Sequence, residues 1–345
     1  MTRPALPLAD ALAQGPQVLD GGLAHQLAEM GNDLSDELWS ARLLTDAPEQ
    51  IAAAHAAYAR AGARVHITAS YQASFEGFAR RGINTADAER LFARSVHLAR
   101  SALATPAGHA PGRESATDPS LDPDPFPYPG PFPHRDPASV PGPEAGWVAA
   151  SVGPYGAVLA DGSEYRGRYG LSTAELVRFH RPRVAALAAA EPDVLALETV
   201  PDVREAEALL RAVEGCGLPV WLSYTVAHGR TRAGQSLEEA FGVAAGIDQV
   251  IAVGVNCCLP EDADAAVPLA VAASGKPAVV YPNSGEHWDA VRRGWQGTPT
   301  FEPAAAARWR ASGARLIGGC CRVGAPHIAR IAAQLGGPAA GRKPR

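Results

Sequence analysis

Eight short apolar runs rich in Val, Ile or Leu recur along the chain with Ala- and Leu-rich stretches between them, and this alternation limits the fold more than any other feature. The runs are QVLD ending at Asp20, RVHITAS at Ser70, WVAASVG at Gly153 and VLALETV around Glu198. They continue with VWLSYT ending at Thr225, VIAVGVNC at Cys257, AVVYPNS at Ser284 and ARLIGGCC at Cys321. The stretches between them, such as Pro48 to Ala63, Ala88 to Ala104 and Thr173 to Ala190, read as helices, and several stop at a glycine. Eight such units predict an α/β fold, a (β/α)8 TIM barrel forming a single domain over residues 1–345. An open doubly wound sheet fits less well, because no Gly-rich dinucleotide fingerprint follows the first run.

One segment breaks the repeat. Residues 105–146 are rich in Pro and Gly and poor in aliphatic side chains, so they cannot bury a core and are expected to form a mobile surface insertion. Elsewhere, 345 residues with 47% hydrophobic content suffice for a substantial core. A formal charge of −5 gives no basic excess, which argues against a nucleic-acid partner. No stretch reaches the ~18 uninterrupted apolar residues that a membrane span needs, and the N-terminal segment lacks a signal-like apolar region. A cytoplasmic protein without membrane association is expected. Five cysteines are too few and too clustered for a secreted disulfide framework.

In a barrel of this kind the C-terminal ends of the strands share one mouth, and the polar residues fall there. Asp20 ends the first strand, Ser70 and Tyr71 the second, Glu198 and Thr199 the fourth, Cys257 the sixth, Asn283 the seventh, and Cys320 with Cys321 the eighth. The sixth and eighth strands are separated by a single strand, so three thiols can converge. Zinc is the metal that most naturally takes three sulfurs, leaving its fourth position open. Buried structural cysteines remain an equal alternative at this stage, because the spacing is not finger-like. Cys258 should point away from Cys257 if the pleat persists, Cys216 reads as structural, and His287 is a weaker ligand candidate.

The stretches LDGGLAHQLAEMG, ITASYQASFEGFARRG, SVGPYGAVLADGSEYRGRYG, LALETVPDVREAEAL, GVNCC, VVYPNSGEHWDA and LIGGCCRVGAPHI together resemble the homocysteine S-methyltransferases, and most of all the bacterial S-methylmethionine-dependent type. The resemblance implies a barrel with one catalytic Zn2+ held by Cys257, Cys320 and Cys321. It implies methyl transfer from S-methylmethionine, or from S-adenosylmethionine, to the thiol of L-homocysteine, forming methionine. It also gives Asp20 and Glu198 to the substrate amino group, and places Gly21 and Gly22 where backbone approaches its carboxylate. Asn256 is expected to bind substrate or orient the loop, and Tyr71 to line the pocket. Tyr155, Glu164 and Tyr165 are candidates to face the sulfonium, where aromatic rings favour a cation. His25 departs from the family pattern at the pocket rim. The competing readings are a betaine donor and a noncatalytic zinc or thiol redox sensor.

Overall fold

The computed structural model describes residues 3–33, 40–104, 146–289 and 294–336, without the side chains of 40, 104, 287–289, 294 and 295. The insertion expected over 105–146 lies outside the described residues except for Gly146, and so does the side chain of His287.

All eight expected strands form. They are β1 (Gln17–Val18), β2 (Val65–Ile67), β3 (Trp147–Val152), β4 (Val194–Val200), β5 (Val220–Tyr224), β6 (Val250–Asn256), β7 (Ala278–Tyr281) and β8 (Ala314–Ile317). They lie in one parallel sheet in chain order, with β1 beside β8. A parallel bridge between Leu19 and Val65 joins β1 to β2 and closes the ring. Among the helices that follow the strands, one outer helix per strand is labelled: α1 (Pro48–Arg60), α2 (Thr85–Ala104), α3 (Thr173–Ala189), α4 (Val203–Val213), α5 (Leu237–Gly242), α6 (Pro260–Ser274), α7 (Ala305–Ala311) and α8 (Ala325–Gly336).

Local chemistry sets the helix ends. Ser172 and Glu175 form a reciprocal capping box on α3, and the Asp202 carboxylate accepts the Arg204 N–H at the start of α4. Pro260 opens α6, and Gly275 closes it in the left-handed region at φ 70°.

The period of two along each strand sorts the core into layers. Val148, Ala150, Leu195, Leu197, Leu222, Val253 and Val255 face the helices. Trp147, Ala149, Val194, Ala196, Trp221, Ala252, Val279 and Leu316 face the barrel interior, where Leu8 and Leu12 of the helix Leu8–Gln14 join them. The lower interior is therefore apolar. Above it, the next inward positions carry Ser151, Glu198, Ser223 and Asn256, with Tyr281 from β7, and all five are buried. The alternation that fills the barrel thus delivers a polar tier directly beneath its mouth.

Candidate metal and substrate site

Each of the three thiols is fixed by its backbone. Cys257 follows β6 in the left-handed region at φ 51°, where its N–H donates to the Tyr281 carbonyl at 3.2 Å. The Thr225 hydroxyl donates to the Cys257 carbonyl at 3.0 Å. A non-glycine residue there costs about 1–3 kcal/mol and persists only when its surroundings over-determine it, as these two bonds do. After β8, the Cys320 N–H donates to the Pro282 carbonyl at 2.8 Å, and the Cys321 N–H to Asn283 Oδ1 at 3.1 Å.

The thiols converge. Cys257 Sγ lies 3.7 Å from Cys321 Sγ, Cys320 Sγ lies 4.0 Å from Cys321 Sγ, and all three sulfurs are within 4.8 Å of one another. Tetrahedral Zn–S bonds of ~2.3 Å place sulfurs ~3.8 Å apart, so the trio has the spacing of a three-thiolate metal site. Hydrogen bonding from Cys320 and Cys321, joined by the Tyr165 hydroxyl, holds the Cys257 thiol well below its usual range. The same bonding to Cys257 pushes Cys320 and Cys321 up. Without a cation, the trio stabilises one thiolate rather than three.

A continuous network supports this centre from below. Asn256 Oδ1 accepts the Thr199 N–H at 2.7 Å and the Ser223 hydroxyl at 2.9 Å, while its Nδ2 donates to Thr199 Oγ1 at 2.7 Å. Thr199 is itself left-handed, at φ 57°. One buried amide therefore ties the strained end of β4 to the residue before Cys257. Its side chain is engaged within the protein, which fits the orienting role expected of Asn256 rather than direct substrate contact. Ser223 also pairs with Tyr281 at 2.8 Å, and the Tyr281 hydroxyl donates to Glu198 Oε2 at 2.9 Å. The Ser151 hydroxyl donates to Glu198 Oε1. Sequence reading missed Ser151, Ser223 and Tyr281, whose one signal was their inward parity on β3, β5 and β7.

Burial raises the Glu198 carboxyl to about 7 despite the opposing bonds from Ser151 and Tyr281. Asp20, also buried, is raised well above the usual carboxylate range by desolvation, and Glu198 adds repulsion. Its Oδ2 accepts the Ile67 N–H at 2.9 Å, while Oδ1 has no hydrogen-bond partner among the described residues. Two poorly solvated carboxyls close enough to repel each other suit a cationic guest.

The remaining expected residues divide. Tyr71 is half-buried, with Glu164 and Cys257 both adding to the burial that raises its phenol. Tyr165 places its hydroxyl 3.1 Å from Cys257 Sγ, and the Arg232 guanidinium sits over its ring at 5.6 Å. Glu164 is buried, pushed up to about 7 by desolvation, and leaves Oε2 unpaired. Tyr155 instead packs away from the thiols against Phe179 and Tyr169. His25 pairs with Glu29 at 3.3 Å. Cys258 joins the outer core layer because the pleat breaks: Asn256 already faces inward, and the left-handed backbone at Cys257 turns that thiol to the mouth and Cys258 toward the helices, while Cys216 packs partly buried below.

Backbone of the loop that carries the cysteine pair approaches both glycines. A Cβ on Gly21 would fall 2.1 Å from the Val323 carbonyl, and one on Gly22 would fall 2.5 Å from the Cys320 carbonyl. The Gly22 N–H also donates to the Val323 carbonyl at 3.1 Å. Their missing side chains thus let the β1 loop pack on the loop carrying the cysteine pair.

Comparison with known proteins now decides the family. A family model described as homocysteine S-methyltransferase matches residues 17–335. This chain belongs to that family. It is 40% identical over 324 residues to the homocysteine S-methyltransferase of Escherichia coli, covering 92% of this chain and 94% of that one. It is also 40% identical over 322 residues to homocysteine S-methyltransferase YbgG of Bacillus subtilis, covering 92% and 93%. Among solved structures, the metallated form of the homocysteine methyltransferase MmuM from E. coli superposes with a TM-score of 0.76 at 38% identity, covering 95% of this chain and all of that chain. The protein is a homocysteine S-methyltransferase on a parallel eight-stranded barrel, acting on small molecules, and its three clustered thiols form a candidate metal centre. No described helix is long and apolar enough to cross a membrane.

Proposed function

We propose that the enzyme is zinc-dependent and cytoplasmic, and that it methylates L-homocysteine with a sulfonium donor: S-methylmethionine first, S-adenosylmethionine second. The observation that carries this reading is the convergence of Cys257, Cys320 and Cys321 at sulfur separations of 3.7 and 4.0 Å. These three residues would hold the zinc. Bound there, zinc supplies a Lewis acid that keeps the homocysteine sulfur as a thiolate at neutral pH, where a free thiol is mostly protonated.

The chain's own residues do the rest. Asp20 and Glu198 take the substrate ammonium, whose charge relieves the repulsion between two buried carboxyls. The backbone at Gly21 borders the place assigned to the substrate carboxylate, and Tyr71 lines the wall. Asn256 holds Thr199 and the β6 end in place, which fixes the direction from which the sulfur is presented. Glu164, buried with an unpaired oxygen, faces the positive charge of the donor beside Tyr165. A sulfonium leaves as a neutral thioether, so no general acid is required. Catalysis is then mainly alignment of methyl group and sulfur.

The test is methionine formation by the purified protein with S-methylmethionine, S-adenosylmethionine, betaine or methyltetrahydrofolate in turn, alongside metal analysis of the wild type and of Cys321→Ser. Turnover from a sulfonium, with zinc that Cys321→Ser loses, supports the reading. Turnover from betaine alone replaces the donor, and thiol-bound zinc without turnover from any donor overturns the catalytic reading.

A further inference from the structure

The barrel wall behind Asp20 holds a second trio of ligand-type side chains. His55 comes from α1, His66 from β2 and Asp20 from the end of β1. His66 alternates with Val65 of the interior layer and so turns toward α1. One ligand atom from each of the three lies within 4.8 Å of the other two. Asp20 is 1% exposed and both histidines 0%. His66 Nδ1 stands 4.0 Å from Asp20 Oδ2, and the two imidazoles meet edge to face with centroids 5.8 Å apart.

What distinguishes this trio is the absence of partners among the described residues. Asp20 Oδ1 and both His55 ring nitrogens are buried without a hydrogen-bond partner among the described residues, and the His66 ring has only the Ala63 carbonyl beside it. Each buried polar group left unpaired costs about 1–3 kcal/mol, and one bound ion would engage one atom from each of the three side chains. Burial pushes His55 down to about 3 and His66 down to about 4, which keeps both rings in the neutral form that ligates metals. Asp20 adds an anionic oxygen, and a cation would reverse the desolvation that now raises its carboxyl.

We infer that Asp20, His55 and His66 form a second metal site, distinct from the three thiols, for a divalent first-row cation of the zinc class. Two imidazoles and a carboxylate are donors of that class rather than of calcium or magnesium, which take oxygen alone. Metal–ligand bonds of ~2.0–2.2 Å at tetrahedral angles put ligand atoms ~3.4 Å apart, so the Asp20–His66 pair, now 4.0 Å apart, closes by about half an ångström on binding and His55, within 4.8 Å, by at most about 1.4 Å. The inference shares Asp20 with the proposed substrate site, so a cation bound here competes with the substrate ammonium for that carboxylate; it does not depend on the choice of methyl donor.

The experiment is metal counting on full-length protein equilibrated with excess zinc and then freed of unbound metal, for the wild type, Cys257→Ser/Cys321→Ser and His55→Gln/His66→Gln. The expected result is two equivalents in the wild type and one in each variant. Cobalt bound to the cysteine variant should show weak ligand-field bands without thiolate charge transfer. One equivalent in the wild type and none in the cysteine variant overturns the inference, and so does a second equivalent that survives in the histidine variant. Should the histidine variant fail to fold, the cysteine variant still decides, because it leaves the second trio intact. Failure of the thiol centre gives a different pattern, in which the cysteine variant keeps the wild-type count.

Discussion

The two trios that border the barrel mouth contrast in how they are held. On the β6 to β8 side, every thiol hangs from backbone pinned by hydrogen bonds to a neighbouring strand end, and Asn256 is satisfied at both ends of its amide. On the β1 and β2 side, Asp20, His55 and His66 are more deeply buried than Cys320 and Cys321, yet most of their polar atoms lack a partner among the described residues. The first region is organised before anything binds, and it stores strain at Cys257 and Thr199 to achieve that. The second carries polar atoms without partners among the described residues. Perturbation should therefore be costly for function on the first side and mild for the metal-free fold on the second.

The largest effect is expected from the thiols themselves. Cys321→Ser should lose the thiol-bound metal and lower methionine formation at least ~1000-fold, equivalent to about 4 kcal/mol of barrier lowering. Cys258→Ser, which touches only the outer core layer, should keep that metal. Equal metal loss in both variants would break the distinction between inward and outward cysteines. Next, Asn256→Ala removes the support beneath Cys257 and should weaken metal affinity by ~10–100-fold, the usual scale for groups that orient ligands. An unchanged zinc dissociation constant would reduce the network to a packing role.

On the carboxylate side, Asp20→Asn should raise the homocysteine KM by roughly 10–100-fold while largely sparing kcat, since a hydrogen bond to a charged group is worth about 1.5–3 kcal/mol. Acidification provides a second view of the same guest. Glu198 is raised to about 7, so it loses its charge as pH falls through that value, and its attraction for an ammonium falls with it. Homocysteine KM should therefore climb below pH 7 more steeply in the wild type than in Glu198→Gln. Parallel profiles would remove Glu198 from ammonium binding. The smallest effect concerns the fold: in metal-free protein, His66→Leu should leave the melting temperature unchanged or slightly raised, because it deletes an unpaired buried group. A clear fall in that temperature would show that His66 is already satisfied.

Much of the fold was legible because the barrel imposes two periods at once. Alternation of strand and helix identified all eight strands, whereas parity did not place Cys257: Asn256 already points inward, and the left-handed turn at Cys257 carries its thiol to the mouth. The meeting of Cys257 with Cys320 and Cys321 followed from the spacing of the sixth and eighth strands around the ring. The polar tier was not legible, since Ser151, Ser223 and Tyr281 occur in runs that otherwise read as apolar strand. Their significance depends on the stagger that brings five strands to one height. Gly21 and Gly22 were read as a substrate approach, and the loop-to-loop contact they also allow was not legible, because a sequence shows that space is needed but not all that fills it. The pairing of His55 with His66 was equally hidden, being a contact between helix and strand.

The most direct test of the central claim is the absorption spectrum of the cobalt-substituted enzyme before and after homocysteine is added. If Cys257, Cys320 and Cys321 hold the metal that receives the substrate sulfur, thiolate-to-cobalt charge transfer should be present at the start and rise when homocysteine binds. Charge transfer that does not change on addition, in protein that still forms methionine, would contradict activation of the substrate thiol at the three-cysteine centre.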